Sequence, residues 1–365
     1  MRAVSIHKKM MRYISILLLI IIFSCKEKTK NENEIYGDNT SGKIIFKIDK
    51  RTEFFRTIFN IAAQNDLPEE LRPCQTEYLK RVNKHFLPLK NHPLIKWIYD
   101  NDNIRIDFST IGLMYKDLSE FEFDTIYSKE LKNYGITEKT LDSIRPLMID
   151  FYKKSKFEKF FKSNKSYYKK SLSKINKQVN DEKILNKVAN FYQSNIKGLE
   201  LIVFIELTNN ANNKAVVFYD HYNPKKRAVI LANLCDFPNK STSNNEILEL
   251  DDNIKTRLYH ELSHLFTNKL LHKNIGNLKQ YKSICKDCND LQIIDKVDHM
   301  IVNPLQAILM KRIENNNEGK SFFLNKCKDV RKGIYQRLNK YRPENKIPFE
   351  KTYVDCINLI KKSAK

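Results

Sequence analysis

Residues 258–266 read LYHELSHLF, with His260 and His264 four apart and Glu261 directly after the first histidine. Asp251 or Asp252 offers an N-cap and Gly276 a stop, so the spacing predicts a helix running to about Asn274. Along it Ile254, Leu258, Leu262, Leu265 and Phe266 form one apolar stripe. At about 100° per residue, both histidines fall nearly opposite that stripe. They are therefore expected on the side of the helix that faces away from the core. Residues four apart on a helix lie about 6 Å from each other, so two imidazoles can reach one metal ion. Glu261 is set about 100° round the helix. There it shares the ion poorly, but it can take a proton from a water that the ion polarises. The competing reading is an exposed helix face with two unrelated histidines.

The stretch resembles the HExxH signature of the zincin metallopeptidases. Leu258, Leu262, Ser263, Leu265 and Phe266 keep that family's avoidance of charge and proline, while Arg257 departs from it outside the ligand positions. The resemblance covers about ten residues. It implies zinc as cofactor, His260 and His264 as ligands, Glu261 as general base and a peptide or protein as substrate. It also implies a small sheet ahead of the metal-binding helix, with an edge strand that pairs with extended substrate. A second, weaker resemblance joins "KIDKRTEFFRTIFNIA", "NKHFLPLKNHPLI" and the HExxH segment. Together they look like an uncharacterised family of exported bacterial proteins with a zinc-peptidase domain. In that setting His92 is either a cleft residue or a turn residue ahead of Pro93.

A catalytic zinc keeps three protein ligands and one open position. The third ligand is sought in "DLQIIDKVDHMIVN", residues 290–303. Taking Ile294, Val297 and Ile301 as the packing face, Asp298 sits about 65° from its centre, Asp295 about 125° and His299 about 165°. A helix packed beside the motif helix presents its ligand near the contact edge, which favours Asp298. His299 is the rival and would complete a three-histidine site. Asn303 and Pro304 read as the N-cap and first residue of a new helix, so the phase is not carried further. For oxyanion stabilisation Tyr219, His221 and Tyr222 are candidates that spacing does not separate.

The N-terminus sets the expected compartment. Lys8, Lys9 and Arg12 precede an apolar run at 13–23 that is too short to span a bilayer. It ends in Ile22-Phe23-Ser24-Cys25, which resembles a bacterial lipobox with Cys25 as the lipidation site. That implies a signal peptide over 1–24, a polar tether over 25–42, and a lipid-anchored protein of the cell envelope, expected at the outer membrane on its periplasmic or surface face. Six further cysteines, Cys74, Cys235, Cys285, Cys288, Cys327 and Cys356, then lie in an oxidising setting and allow up to three disulfides. "CKDC" at 285–288 reads as a local disulfide or two thiols, because no further zinc ligands stand nearby.

The net charge of +22 is spread along a lysine-rich chain with no nucleic-acid motif, so no nucleic acid is expected as partner. Its densest segment, 153–177, interleaves aromatics with lysines and reads as a solvated helix face. The 41% hydrophobic content supports a sizeable core. Residues 43–49 alternate like a strand, and helical patterns follow at 52–64, 75–85, 93–99, 138–162 and 165–194. Three β-rich runs, "LELIVFIEL", "KAVVFYDHY" and "RAVILANL", occupy 198–234. The last of them, 227–234, is the candidate edge strand. Helices are then expected at 290–302, 304–315, 318–338 and 348–361. The fold class is a mostly helical α+β protein. A helical region over 43–195 precedes a zincin-like region over 196–365. Two function classes follow: a membrane-anchored zinc hydrolase, or a noncatalytic envelope lipoprotein that binds a protein or polymer.

Overall fold

The computed structural model describes residues 42–63, 76–101, 108–209, 213–217, 225–232, 247–278, 292–316 and 327–364. The chain from Thr40 to Lys365 forms one compact unit, so the expected division near residue 195 falls inside it. The chain is mostly helical with one four-stranded sheet, in the α+β class.

The sheet draws on both halves of the chain. Strand β1 (Lys43–Lys47) pairs in parallel with β2 (Glu200–Glu206), β2 in parallel with β4 (Lys226–Ala232), and the short β3 (Lys214–Val216) antiparallel to β4. The order β1-β2-β4-β3 moves the 227–234 run from the edge, where it was expected, to the interior. Its residues from Ala228 to Ala232 are buried on both faces. A continuous apolar run is the pattern of such a strand. The edge falls instead to the three-residue β3.

Among the described residues, eight helices lie between β1 and β2. They are α1 (Lys50–Ala62), α2 (Glu77–Phe86), α3 (Pro93–Asp100), α4 (Phe108–Gly112), α5 (Glu138–Lys154), α6 (Phe157–Ser163), α7 (Lys165–Asp181) and α8 (Ile184–Tyr192). The long patterns expected at 138–162 and 165–194 each break in two, where Lys156 and Lys183 adopt left-handed backbone. Local chemistry starts several helices: the side chains of Asp49, Thr76 and Thr137 each accept a backbone N–H of the first turn. His92 does the same for α3, its Nδ1 accepting from Leu94 N at 3.1 Å while Nε2 meets Asp150 at 2.9 Å. It is a buried capping residue. Helix α7 covers the outer edge of β1. Asn176 Oδ1 accepts from Phe46 N at 2.8 Å, and Asn176 Nδ2 and Asn180 Nδ2 donate to the Phe46 and Ile44 carbonyls at 3.0 Å. An edge strand so capped has no free ladder to offer another chain.

After β4 the described residues hold four helices: α9 (Asp252–Ile275), α10 (Ile293–Ile313), α11 (Lys328–Lys340) and α12 (Phe349–Ser363). Helix α9 carries the motif and packs against α8, β3, β4, α10 and α12. Helix α10 runs unbroken through Pro304, where two helices were expected. Pro304 cannot donate to the Met300 carbonyl, a loss of about 3 kcal/mol in an exposed helix. Here Val297, Met300, Ile301, Leu305, Ile308 and Leu309 are all buried, and packing on both sides of the proline holds the helix together. Cys327 is disulfide-bonded and Cys356 is a buried free thiol pushed up to about 12 by burial. Among the described residues no helix is long and apolar enough to cross a membrane.

Candidate metal centre

Helix α9 begins where its sequence directs, with the Asp251 side chain accepting from Ile254 N at 2.8 Å. It ends at Gly276, which continues into a short 3-10 turn. Ile254, Leu258, Leu262 and Leu265 are buried as the stripe predicts. Tyr259, Ser263 and Thr267 are buried too, so this helix is enclosed on most sides. His260 and His264 are half-buried and Glu261 is buried.

The two motif imidazoles converge, with Nε2 of His260 3.1 Å from Nε2 of His264. His299 of α10 joins them, and the three residues bring one ligand atom each within 4.8 Å of one another. Each ring has its Nδ1 fixed. Gln306 Oε1 lies 3.0 Å from Nδ1 of His260, Asp298 Oδ2 lies 2.7 Å from Nδ1 of His264, and the Asp295 carbonyl lies 2.9 Å from Nδ1 of His299. An acceptor on Nδ1 fixes the tautomer and leaves Nε2 as the ligand atom. Two zinc–nitrogen bonds of about 2.0–2.1 Å in tetrahedral geometry span about 3.3 Å, close to the separation of the two motif nitrogens.

Asp298 therefore stands behind His264, and the group brought to the two motif histidines is its rival, His299. The Ile294–Val297–Ile301 stripe did not point to His299 because α10 is packed on more than one side, against α9, α11 and α12. The centre of one apolar stripe then does not locate the face turned toward α9. Asp295 is exposed and contributes only its carbonyl. Gln306 was not singled out in the sequence, because the helix was broken at Pro304. Seven residues beyond His299 on one continuous helix, it lies two turns along the same face.

Electrostatics favour the neutral form of two of the three rings. Burial, then the neighbouring His264, His299 and Arg331, hold His260 well below the usual imidazole range. Burial and His264 also lower His299. Burial opposes the charged form of His264, but the Asp298 carboxylate outweighs it and raises that ring. Burial pushes the Glu261 carboxyl up to about 7, against the pull of His264 and a hydrogen bond from the Ala215 amide. Ala215 is the middle residue of β3, so the edge strand of the sheet lies directly against the motif glutamate. The donor set of three imidazoles suits zinc and other borderline divalent ions. One acceptor is left over: Oδ1 of Asp298 is buried with no hydrogen-bond partner.

Comparison with protein-family models, curated proteins and solved structures gives no match. Tyr219, His221 and Tyr222, and the lipidation residue Cys25, lie outside the described residues. So do Cys74, Cys235, Cys285 and Cys288.

Proposed function

We propose that this chain is a zinc-dependent hydrolase, a metallopeptidase of the HExxH type, tethered by lipid on Cys25 in the bacterial cell envelope. The observation that carries it is the convergence of His260, His264 and His299 with every Nδ1 already engaged. The three Nε2 atoms would hold the ion, with Asp298, Gln306 and the Asp295 carbonyl orienting the rings. Bound there, zinc supplies a Lewis acid that polarises the scissile carbonyl and acidifies water. Glu261 accepts the proton of the attacking water at a carboxylate oxygen and passes it to the leaving amine. Substrate aligns as an extended strand along β3, the sheet edge beside Glu261. The disulfide at Cys327 agrees with an oxidising compartment.

Glu261→Gln tests the chemistry. The variant keeps its shape but cannot accept a proton, so hydrolysis of a broad peptide library should fall by about 10²–10⁴-fold while the metal stays bound. Loss of the metal with this substitution would make Glu261 a ligand. A wild type that holds zinc and cleaves neither peptides nor cell-wall fragments would favour a binding lipoprotein.

A further inference from the structure

The corner between α5 and α6 carries a charge imbalance that the proposed reaction does not use. From 153 to 177 ten lysines stand against one acid, Glu158. At the corner itself Lys153, Lys156, Lys159 and Lys162 line one surface groove of about 680 Å³, with Tyr152 and Glu158 among them. Glu158 is already engaged: Lys50 Nζ lies 2.9 Å from Oε2, Lys162 Nζ lies 3.1 Å from Oε1, and the Tyr152 hydroxyl donates to Oε2. Asp150, three residues before Lys153 on α5, is taken by Lys154 at 2.8 Å and His92 at 2.9 Å. Lys153, Lys156 and Lys159 are exposed and have no acidic partner among the described residues. Three unmatched ammonium groups therefore border one groove. Lys156 stands there in left-handed backbone, φ 50°, a conformation that glycine adopts at less cost.

Like charges lining one concavity concentrate positive potential and attract anions. The charged face continues past the groove, because α7 opens with Lys165 and Lys169, exposed and four apart. A single soluble phosphate covers the groove alone. A layer of anionic headgroups meets the groove and its continuation together, and the long aliphatic stems of lysine let the amines reach into such a layer. We propose that this groove docks on anionic phospholipid headgroups, with Lys153, Lys156 and Lys159 meeting their phosphates. Glu158, held by Lys50 and Lys162, ties α6 to α1 and does not compete for those three lysines. The contact is independent of the metal centre and of lipid on Cys25.

The test uses the full-length chain, with the acetylation rate of each lysine read by mass spectrometry. Vesicles of phosphatidylglycerol and phosphatidylcholine in equal parts are compared with phosphatidylcholine alone and with inorganic phosphate free of lipid. The mixed vesicles should protect Lys153, Lys156, Lys159, Lys165 and Lys169 and leave the exposed Lys351 of α12 reactive, and added salt should remove the protection. Lys153→Gln, Lys156→Gly and Lys159→Gln combined should raise the vesicle concentration that half-protects Lys165 and Lys169 about 100-fold, at about fivefold for each lysine lost. Glycine suits the backbone at 156, so the urea midpoint of Lys156→Gly alone should stay level or rise, and a loss of docking then reports the charge. Equal protection on neutral vesicles, protection that extends to Lys351, or an unshifted titration in the triple variant would overturn the proposal. Protection by inorganic phosphate as strong as by the mixed vesicles would assign the groove to a soluble ligand and overturn the membrane partner.

Discussion

Single residues set both the site and one pH response of the fold. Glu53 on α1 is 1% exposed, accepts from the Tyr78 hydroxyl at 2.8 Å and faces Glu206 at the end of β2. Glu206 is itself paired with Arg56 at 2.7 Å and accepts from Asn209. Burial, with Glu206 adding to it, raises the Glu53 carboxyl from 4.5 to about 7, although the Tyr78 hydrogen bond pulls the other way. A carboxyl raised in the folded state stabilises the fold below its unfolded pKa and loses that contribution as pH climbs through the folded one. Between pH 4.5 and 7 this one group should therefore reduce stability by about 3 kcal/mol as pH rises. Urea unfolding of the metal-free protein at pH 5 and pH 8 should show a smaller drop in Glu53→Gln than in wild type. Equal drops would mean that Glu53 ionises normally in the fold. At this scale the sequence displays His260, Glu261 and His264 because helix periodicity holds them on adjacent turns. It hides the roles of Asp298 and His299, which depend on how α9 and α10 meet.

Elements were legible where their ends carry local chemistry. Helix α9 starts at Asp251 because the side chain caps Ile254 N, a contact the sequence announces. Asp251→Ala should cost about 0.5–2 kcal/mol in chemical unfolding with the metal site intact. A change near zero would show that tertiary packing alone fixes the start of α9. The sequence misleads where packing overrides such signals. Pro304 reads as a helix start, yet buried residues on both sides carry α10 through it and bring Gln306 under His260. Lys156 and Lys183 break the long helices in left-handed backbone, which lysine does not advertise. The 227–234 run is strand-like in composition, but pairing order follows from neighbours that lie far apart in sequence.

At the scale of the molecule, one sheet binds the two halves of the chain. Its β1 edge is closed by Asn176 and Asn180, and its β3 edge lies against the motif glutamate. The proposed substrate strand therefore has one side of the sheet to use. Fold class was readable from alternation at 43–49 and 198–234 amid helical periodicity, whereas the pairing of β1 with β2 was not, since about 150 residues separate them. The proposed attachment to the membrane belongs to this scale too. Cys25→Ser should move the protein out of the membrane fraction and block its processing, and unchanged fractionation would remove the lipid anchor from the proposal. The most direct measurement of the central claim is the zinc K-edge absorption fine structure of the zinc-loaded protein. It should show three imidazole nitrogens at about 2.0–2.1 Å in wild type and in Asp298→Asn, and two in His299→Ala. A ligand lost in Asp298→Asn and retained in His299→Ala would contradict the three-histidine centre.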